Sequence, residues 1–307
     1  MLDSSTSIEL ASLTAIGIVV LSTTILLALL ARSRISKPAH DPSTSAILIT
    51  GGGRGIGRAT ADHLLSLGYH VFVTVRKQSP YDAMESKARK GVEDSHAPHP
   101  VLLDVSNDDH IESAGKRVQS LCQSLNCQLI AVINNAGINP EGDAMSEVYA
   151  NDGTPENVLA DPSIGTRVLQ TNVVGVARIS RAFLPLLSEG GRIVNIGSYF
   201  GSIAGQSGLC HAYYECSKFA LEGLSDNMRR SLRKRGIHVS LIKPGNIITD
   251  MNSFGESPTS VVAKDVEHAV SSKSPRARYY SGKVKGMPVR LVCWIFEMLP
   301  TSVTDAL

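Results

Sequence analysis

Apolar residues in this chain fall into short unbroken runs, separated by longer stretches in which they recur at helical spacing. "AILIT" (Ala46 to Thr50) is rich in β-formers and is stopped by glycine, so it predicts a buried strand. In "IGRATADHLLSLG", just after it, Ile56, Ala59, Leu64 and Leu67 share a helix face, and Gly68 stands where a helix stop belongs. The alternation then repeats. "HVFVTV", "HPVLLDV", "LIAVINNAG", "GRIVNIGS" and "HVSLIKPG" read as further strands. Helices are predicted between them, over residues 81–90, 111–125, 167–187 and 217–236. Strands that are apolar throughout, rather than at alternate positions, belong to a parallel sheet covered on both faces. The predicted fold class is therefore α/β, a doubly wound parallel sheet in a single domain.

The amino terminus follows a different pattern. Leu10 to Ala31 contains no charged residue. At about 1.5 Å per residue this is about 33 Å of helix, enough for a hydrocarbon core of about 30 Å. A cleaved signal peptide would have a basic start and a shorter apolar region. Here the start carries Asp3 and Glu9. The run also precedes the domain instead of lying within it. We read residues 10–31 as a transmembrane anchor, 32–44 as a polar linker with two prolines, and 45–307 as the folded domain. Arg32, Arg34 and Lys37 flank the anchor, so positive-inside reasoning places the domain in the cytosol on a single-pass membrane protein. The endoplasmic reticulum is the expected membrane.

Composition narrows the classes further. A formal net charge of +2 gives no nucleic-acid footprint. The five cysteines form no C-x-x-C pair and are odd in number, which fits free thiols in a reducing compartment, and no metal site is predicted.

The first candidate chemistry lies in "TGGGRGIG", Thr50 to Gly57. Glycine inside an element costs roughly 0.5–1 kcal/mol relative to alanine, so five in eight residues need a reason. A strand, a glycine loop and a helix form the dinucleotide-binding arrangement. Gly51 permits the tight turn, while Gly55 and Gly57 let backbone approach a pyrophosphate and let helix pack on strand. The phosphates would sit on the free amides of the helix.

The spacing T-G-x-x-x-G-x-G resembles that of the short-chain dehydrogenase/reductases. The resemblance continues through "NNAG" (Asn134 to Gly137), Asn172, Ser198, Tyr214 and Lys218 in "YECSK", and "PGNIIT" (Pro244 to Thr249), all in the family's order. It implies a Rossmann-type fold and covers roughly residues 45–249. The tail looks like that of the membrane-bound retinol and hydroxysteroid dehydrogenases.

Tyrosine has an ordinary pKa near 10 and is a poor base at neutral pH. A lysine four residues later lies on the same helix face and would stabilise the phenolate. Only Tyr214 of the adjacent tyrosines has lysine at that spacing. By resemblance, Ser198 hydrogen-bonds the substrate oxygen, and Asn172 holds a proton-carrying water behind Lys218. The gap between Ser198 and Tyr214 is longer than the family usually shows, which leaves Ser202 as an alternative serine. For the cofactor the resemblance implies contacts from Thr50, Gly51, Gly53, Arg54, Gly55, Ile56, Gly57, Arg76, Asp104, Val105, Asn135, Ala136, Gly137, Tyr214, Lys218, Pro244, Gly245 and Thr249.

Users of NAD normally carry an acid at the end of the second strand. Here Val75 and Arg76 stand there, with Arg54 in the loop. Two guanidinium groups suit a 2′-phosphate, so NADP(H) is expected, with NAD(H) possible.

Residues 253–307 should wall the substrate site. Their apolar stretch "GMPVRLVCWIFEMLP", together with the anchor, suggests a lipophilic alcohol or carbonyl: a retinoid, a steroid or a long-chain lipid. Two other readings stay open: a 3-ketosphinganine- or 3-ketoacyl-type reductase of lipid synthesis, and a catalytically silent nucleotide-binding scaffold. A homodimer through the helices bearing Asn172 and Tyr214 is a further expectation of the resemblance.

Overall fold

The structure, a computed structural model, describes residues 39–90, 97–139, 162–204, 212–249, 252, 255–299 and 303, without the side chains of 86–90. The anchor expected over 10–31 and most of the linker lie outside these residues. Among the described residues no helix is long and apolar enough to cross a membrane.

The alternation seen in the sequence becomes β1 (Ser45–Ile49), α1 (Gly55–Ser66), β2 (His70–Val75), α2 (Gln78–Lys90), β3 (His99–Leu102), α3 (Asp108–Ser124) and β4 (Gln128–Asn134). It continues with α4 (Pro162–Leu169), α5 (Gly175–Phe183), β5 (Arg192–Ile196), α6 (Ala212–Leu232), β6 (His238–Pro244), α7 (Ser260–Ser271) and β7 (Arg278–Ser281). A short hairpin, β8 (Lys283–Val284) and β9 (Met287–Pro288), leads into α8 (Val289–Met298).

Seven strands form one sheet in the order β3-β2-β1-β4-β5-β6-β7. Every pairing is parallel. The order reverses between β1 and β4, the topological switch point where ligands bind in open α/β sheets. Successive side chains point to opposite faces. Ile47 and Ile49 therefore join the cluster under α1 and α7, which includes Leu64, Val266 and Val270. Ala46 and Leu48 join the cluster under α3 and α5, with Val118, Ile179 and Phe183.

Local signals place the elements. Asn107 caps α3 by accepting from the His110 amide, and Asp108 and Asp109 occupy its first turn, where the helix dipole favours acids. Gly68, beyond α1, has φ +89°, a conformation that glycine adopts without a steric cost.

The structure adds to the sequence reading at three places. The long helix expected over 167–187 starts at Pro162 and is broken by a π-helical turn over Gln170–Val174. β7 and the hairpin were not expected: "RYYS" is short and carries Arg278 and Ser281 at its ends, so no apolar run announced it. Residues read as linker also make hydrogen bonds of their own. The Ala39 amide donates to the Ser271 carbonyl at 2.7 Å, and Asp41 caps a 3-10 turn over Pro42–Thr44.

Candidate active site

The switch point is fastened by side chains from both halves of the sheet. The buried Thr50 hydroxyl accepts from the amides of Asn135 and Ala136, each at 3.0 Å. In return, Asn135 Nδ2 donates to the carbonyls of Thr50 and Gly51, again at 3.0 Å. Gly51 sits at φ +64°, and its amide donates to Thr74 Oγ1 at 3.1 Å. At Gly57 a Cβ would lie 2.5 Å from both Asn135 Nδ2 and the Gly51 carbonyl. The first turn of α1 can therefore reach the loop only without a side chain. Its leading amides have no intrahelical partners, as an anion site requires.

Around this cradle, Gly53 abuts Val75 at the end of β2, and Arg54 and Arg76 are both exposed. Among the described residues no acid stands at the end of β2. Ile56 is half-buried in the first turn of α1. Burial alone would raise the Asp104 carboxyl, but the Ser106 hydroxyl and amide, together with nearby Arg76 and His110, hold it below its usual range. The Val105 side chain enters the core and touches the site of Gly175. Thr249 lies over Gly55: a Cβ on that glycine would meet its side chain at 3.6 Å. Pro244 ends β6, and Gly245 is wedged beneath Val289 and the Lys283 carbonyl.

The candidate reacting groups sit at the carboxyl ends of β4 and β5. Asn172 lies in the π-helical turn, a distortion frequent at functional sites. Its amide donates to the Ile138 carbonyl at 2.9 Å and to Ser217 Oγ at 3.0 Å, while its oxygen accepts from the Ile138 amide at 2.8 Å. Gly137 packs against that oxygen. Lys218 is buried. Its Nζ donates to the Ile196 carbonyl at 3.0 Å and stands 5.2 Å from the centre of the Tyr214 ring. Desolvation pulls its pKa down from 10.5 to about 8.

Tyr214 is half-buried and meets Phe200 edge-on. Ser198 is buried, and its Oγ accepts from the Phe200 amide at 3.2 Å. Ser202 is turned elsewhere. Its hydroxyl donates to Glu297 at 2.7 Å and accepts from Lys243.

Other side chains fasten the site, and the sequence reading assigned them no role. Thr74 and Ser217 hold the glycine loop and Asn172. Asn134 does not face the cleft; its Nδ2 donates to Ser180 Oγ and to Asn195 Oδ1, and Asn195 donates to Ser225 Oγ. Behind α6, buried Lys243 pairs with Glu222 at 2.6 Å, and Arg278 joins Glu222 at 3.0 Å and Asp226 at 3.2 Å. Ser217 lies within "YECSK", so its place one residue before the lysine was visible. Lys243, inside an apolar run, gave no such sign.

A family model described as short chain dehydrogenase matches residues 45–258. The chain is 28% identical over 302 residues to 17-beta-hydroxysteroid dehydrogenase type 6 of Rattus norvegicus, covering 85% of this chain and 86% of that one. It is 29% identical over 268 residues to the mitochondrial D-beta-hydroxybutyrate dehydrogenase of Mus musculus, covering 83% and 71%. A solved short chain dehydrogenase of Burkholderia cenocepacia in complex with NADP superposes with a TM-score of 0.61 at 26% identity, over 78% of this chain and 96% of that one.

Proposed function

We propose, from the premise that this chain belongs to the short chain dehydrogenase family, that it is an NADP(H)-dependent oxidoreductase interconverting a lipophilic alcohol and its carbonyl. Family membership makes it an NAD(P)-dependent dehydrogenase acting on CH–OH groups. The finer reading rests on the residues of this chain.

One observation carries the catalytic assignment: a desolvated lysine, fixed by the Ile196 carbonyl, stands beside the ring of a half-buried tyrosine. In this reading Tyr214 gives the proton to the carbonyl oxygen during reduction and takes it back during oxidation. A protonated Lys218 next to it favours the phenolate. Ser198 donates to the same oxygen as charge builds on it. Ser202 is the poorer candidate because Glu297 and Lys243 already engage its hydroxyl. Asn172 stands behind Lys218 and passes protons on through water. A bound nicotinamide cofactor supplies or accepts the hydride.

The cradle fits such a cofactor, since the first turn of α1 closes on a loop with no room for a Cβ at Gly57. Arg54 and Arg76, with Val75 in place of an acid, favour a 2′-phosphate. Ile56, Asp104, Val105, Ala136, Gly137, Pro244, Gly245 and Thr249 complete the proposed cofactor surface. Reduction is then the favoured direction in the cytosol.

The lipophilic substrate is supported by the apolar stretch "GMPVRLVCWIFEMLP" within 253–307 and by residues 10–31, which we assign as a single-pass anchor of the endoplasmic reticulum. The test is turnover of NADPH and NADH with retinal, a steroid ketone, a long-chain aldehyde and a ketosphingoid. Tyr214→Phe should lose about 10²–10⁴-fold in rate while still binding NADPH. A mutant that turns over at the wild-type rate refutes the assignment.

A further inference from the structure

α8 is apolar on both sides. Val289, Val292 and Cys293 are buried against Tyr199, Phe200 and Ile203, beside the serine-bearing turn. On the opposite side Leu291, Trp294 and Met298 recur at i, i+3 and i+7, one helix face, with relative exposures of 42%, 57% and 67%. Met287, in the hairpin just before, adds a fourth at 41%. A helix apolar all round is ordinarily buried all round. A contiguous exposed apolar face marks a contact surface.

The rim around this face carries a net positive charge. Lys283, Lys285 and Arg290 are exposed beside it. Two acids lie near this rim, Glu256, which accepts from the amides of Lys285 and Gly286, each at 2.7 Å, and Glu297, which accepts from Ser202, so the three cations outnumber them. An aromatic and three long flexible apolar side chains with a net positive rim match the interface of an anionic bilayer, where such helices lie flat. At ten residues α8 is too short to cross one.

We infer that Met287, Leu291, Trp294 and Met298 seat the domain on an anionic lipid surface, so that the back wall of the reaction site rests on the membrane. The inference extends the reading that the chain is membrane-bound. It is tested on the full chain reconstituted into vesicles of phosphatidylserine and brominated phosphatidylcholine. Trp294 is the chain's single tryptophan, so all tryptophan emission reports this face.

Flotation reads the membrane attachment separately. The expected result is a floating protein whose emission is blue-shifted, mostly lost to bromine near the headgroups, and little affected by aqueous iodide. Insertion about 5–10 Å deep makes shallow bromines quench more than deep ones. The double variant Leu291→Glu, Met298→Glu should still float but lose the bromine quenching. Quenching by iodide alone, with flotation intact, overturns the inference and leaves the anchor standing. Quenching by neither, as when a second copy covers the face, also overturns it, as does bromine quenching that survives the double variant. A chain that does not float overturns both readings.

Discussion

Replacing Lys218 by methionine should make the domain more stable while destroying its activity. The lysine keeps almost no contact with water, and among the described residues its hydrogen bond is to the Ile196 carbonyl. Lowering its pKa from 10.5 to about 8 corresponds to a cost of about 3 kcal/mol for holding the ammonium inside at neutral pH. Methionine has a similar length, carries no charge, and forfeits one hydrogen bond of about 1 kcal/mol. The net expectation at pH 7 is a gain of about 2 kcal/mol. The sign follows from linkage. The folded pKa lies below the unfolded one, so the unfolded chain binds the extra proton between pH 8 and 10.5, and the wild type gains stability across that window. At pH 10 the difference should close to near zero. Urea unfolding of a protein starting at Ala39, followed by far-ultraviolet circular dichroism, measures both values. Groups common to the two proteins cancel in the difference. A Lys218→Met variant less stable than wild type at pH 7, or a difference that ignores pH, would refute the reasoning.

Other substitutions probe the rest of the site. Arg54→Ala with Arg76→Ala should raise the Kd of NADPH by about 10–100-fold, from lost charge-assisted hydrogen bonds, and leave NADH little changed. Equal losses for both nucleotides, measured by titration calorimetry, would remove the 2′-phosphate role. Gly57→Ala forces a methyl against the Gly51 carbonyl and Asn135, and should cost about 1–3 kcal/mol of stability together with cofactor binding. Retained NADPH affinity in that variant would contradict the cradle. Glu222→Gln strands the buried Lys243 ammonium and should cost about 3 kcal/mol. Lys243→Met should cost less, because Glu222 keeps Arg278 at 3.0 Å. Thermal unfolding that ranks the pair the other way would show that Lys243 is satisfied without Glu222.

What could be read from the sequence was what local spacing encodes. Six strands declared themselves because they are unbroken apolar runs next to glycine or polar turns, and the glycine loop did so because its backbone geometry excludes side chains. Tyr214 and Lys218 were legible because one helical turn sets their distance. The seventh strand was not, since an edge strand of four residues needs no apolar run. The π-helical turn at Asn172 was not either, because its neighbours Gln170 and Thr171 are unremarkable helix residues and the distortion comes from tertiary packing. Nor was the Lys243–Glu222 pair: its partners lie on different elements, and only the folded chain brings them within 2.6 Å. The two-sided character of α8 was visible as an apolar stretch, but which side the domain covers is decided by Tyr199 and Phe200, almost a hundred residues away.

The buried amides of Asn134 and Asn195 have a consequence for how the chain finds its fold. The two residues are register partners on β4 and β5. Their neighbours Val132, Ile133, Ile193 and Val194 are interchangeable in size and polarity, so a strand slipped along its partner would bury the same greasy surface. The amides tolerate no such slip. Displacement would break the bonds that join Asn134 and Asn195 to each other and to Ser180 and Ser225, at about 1–3 kcal/mol for each amide left unsatisfied. Four polar side chains thus work as a proofreading device for a sheet whose apolar strands cannot check their own alignment.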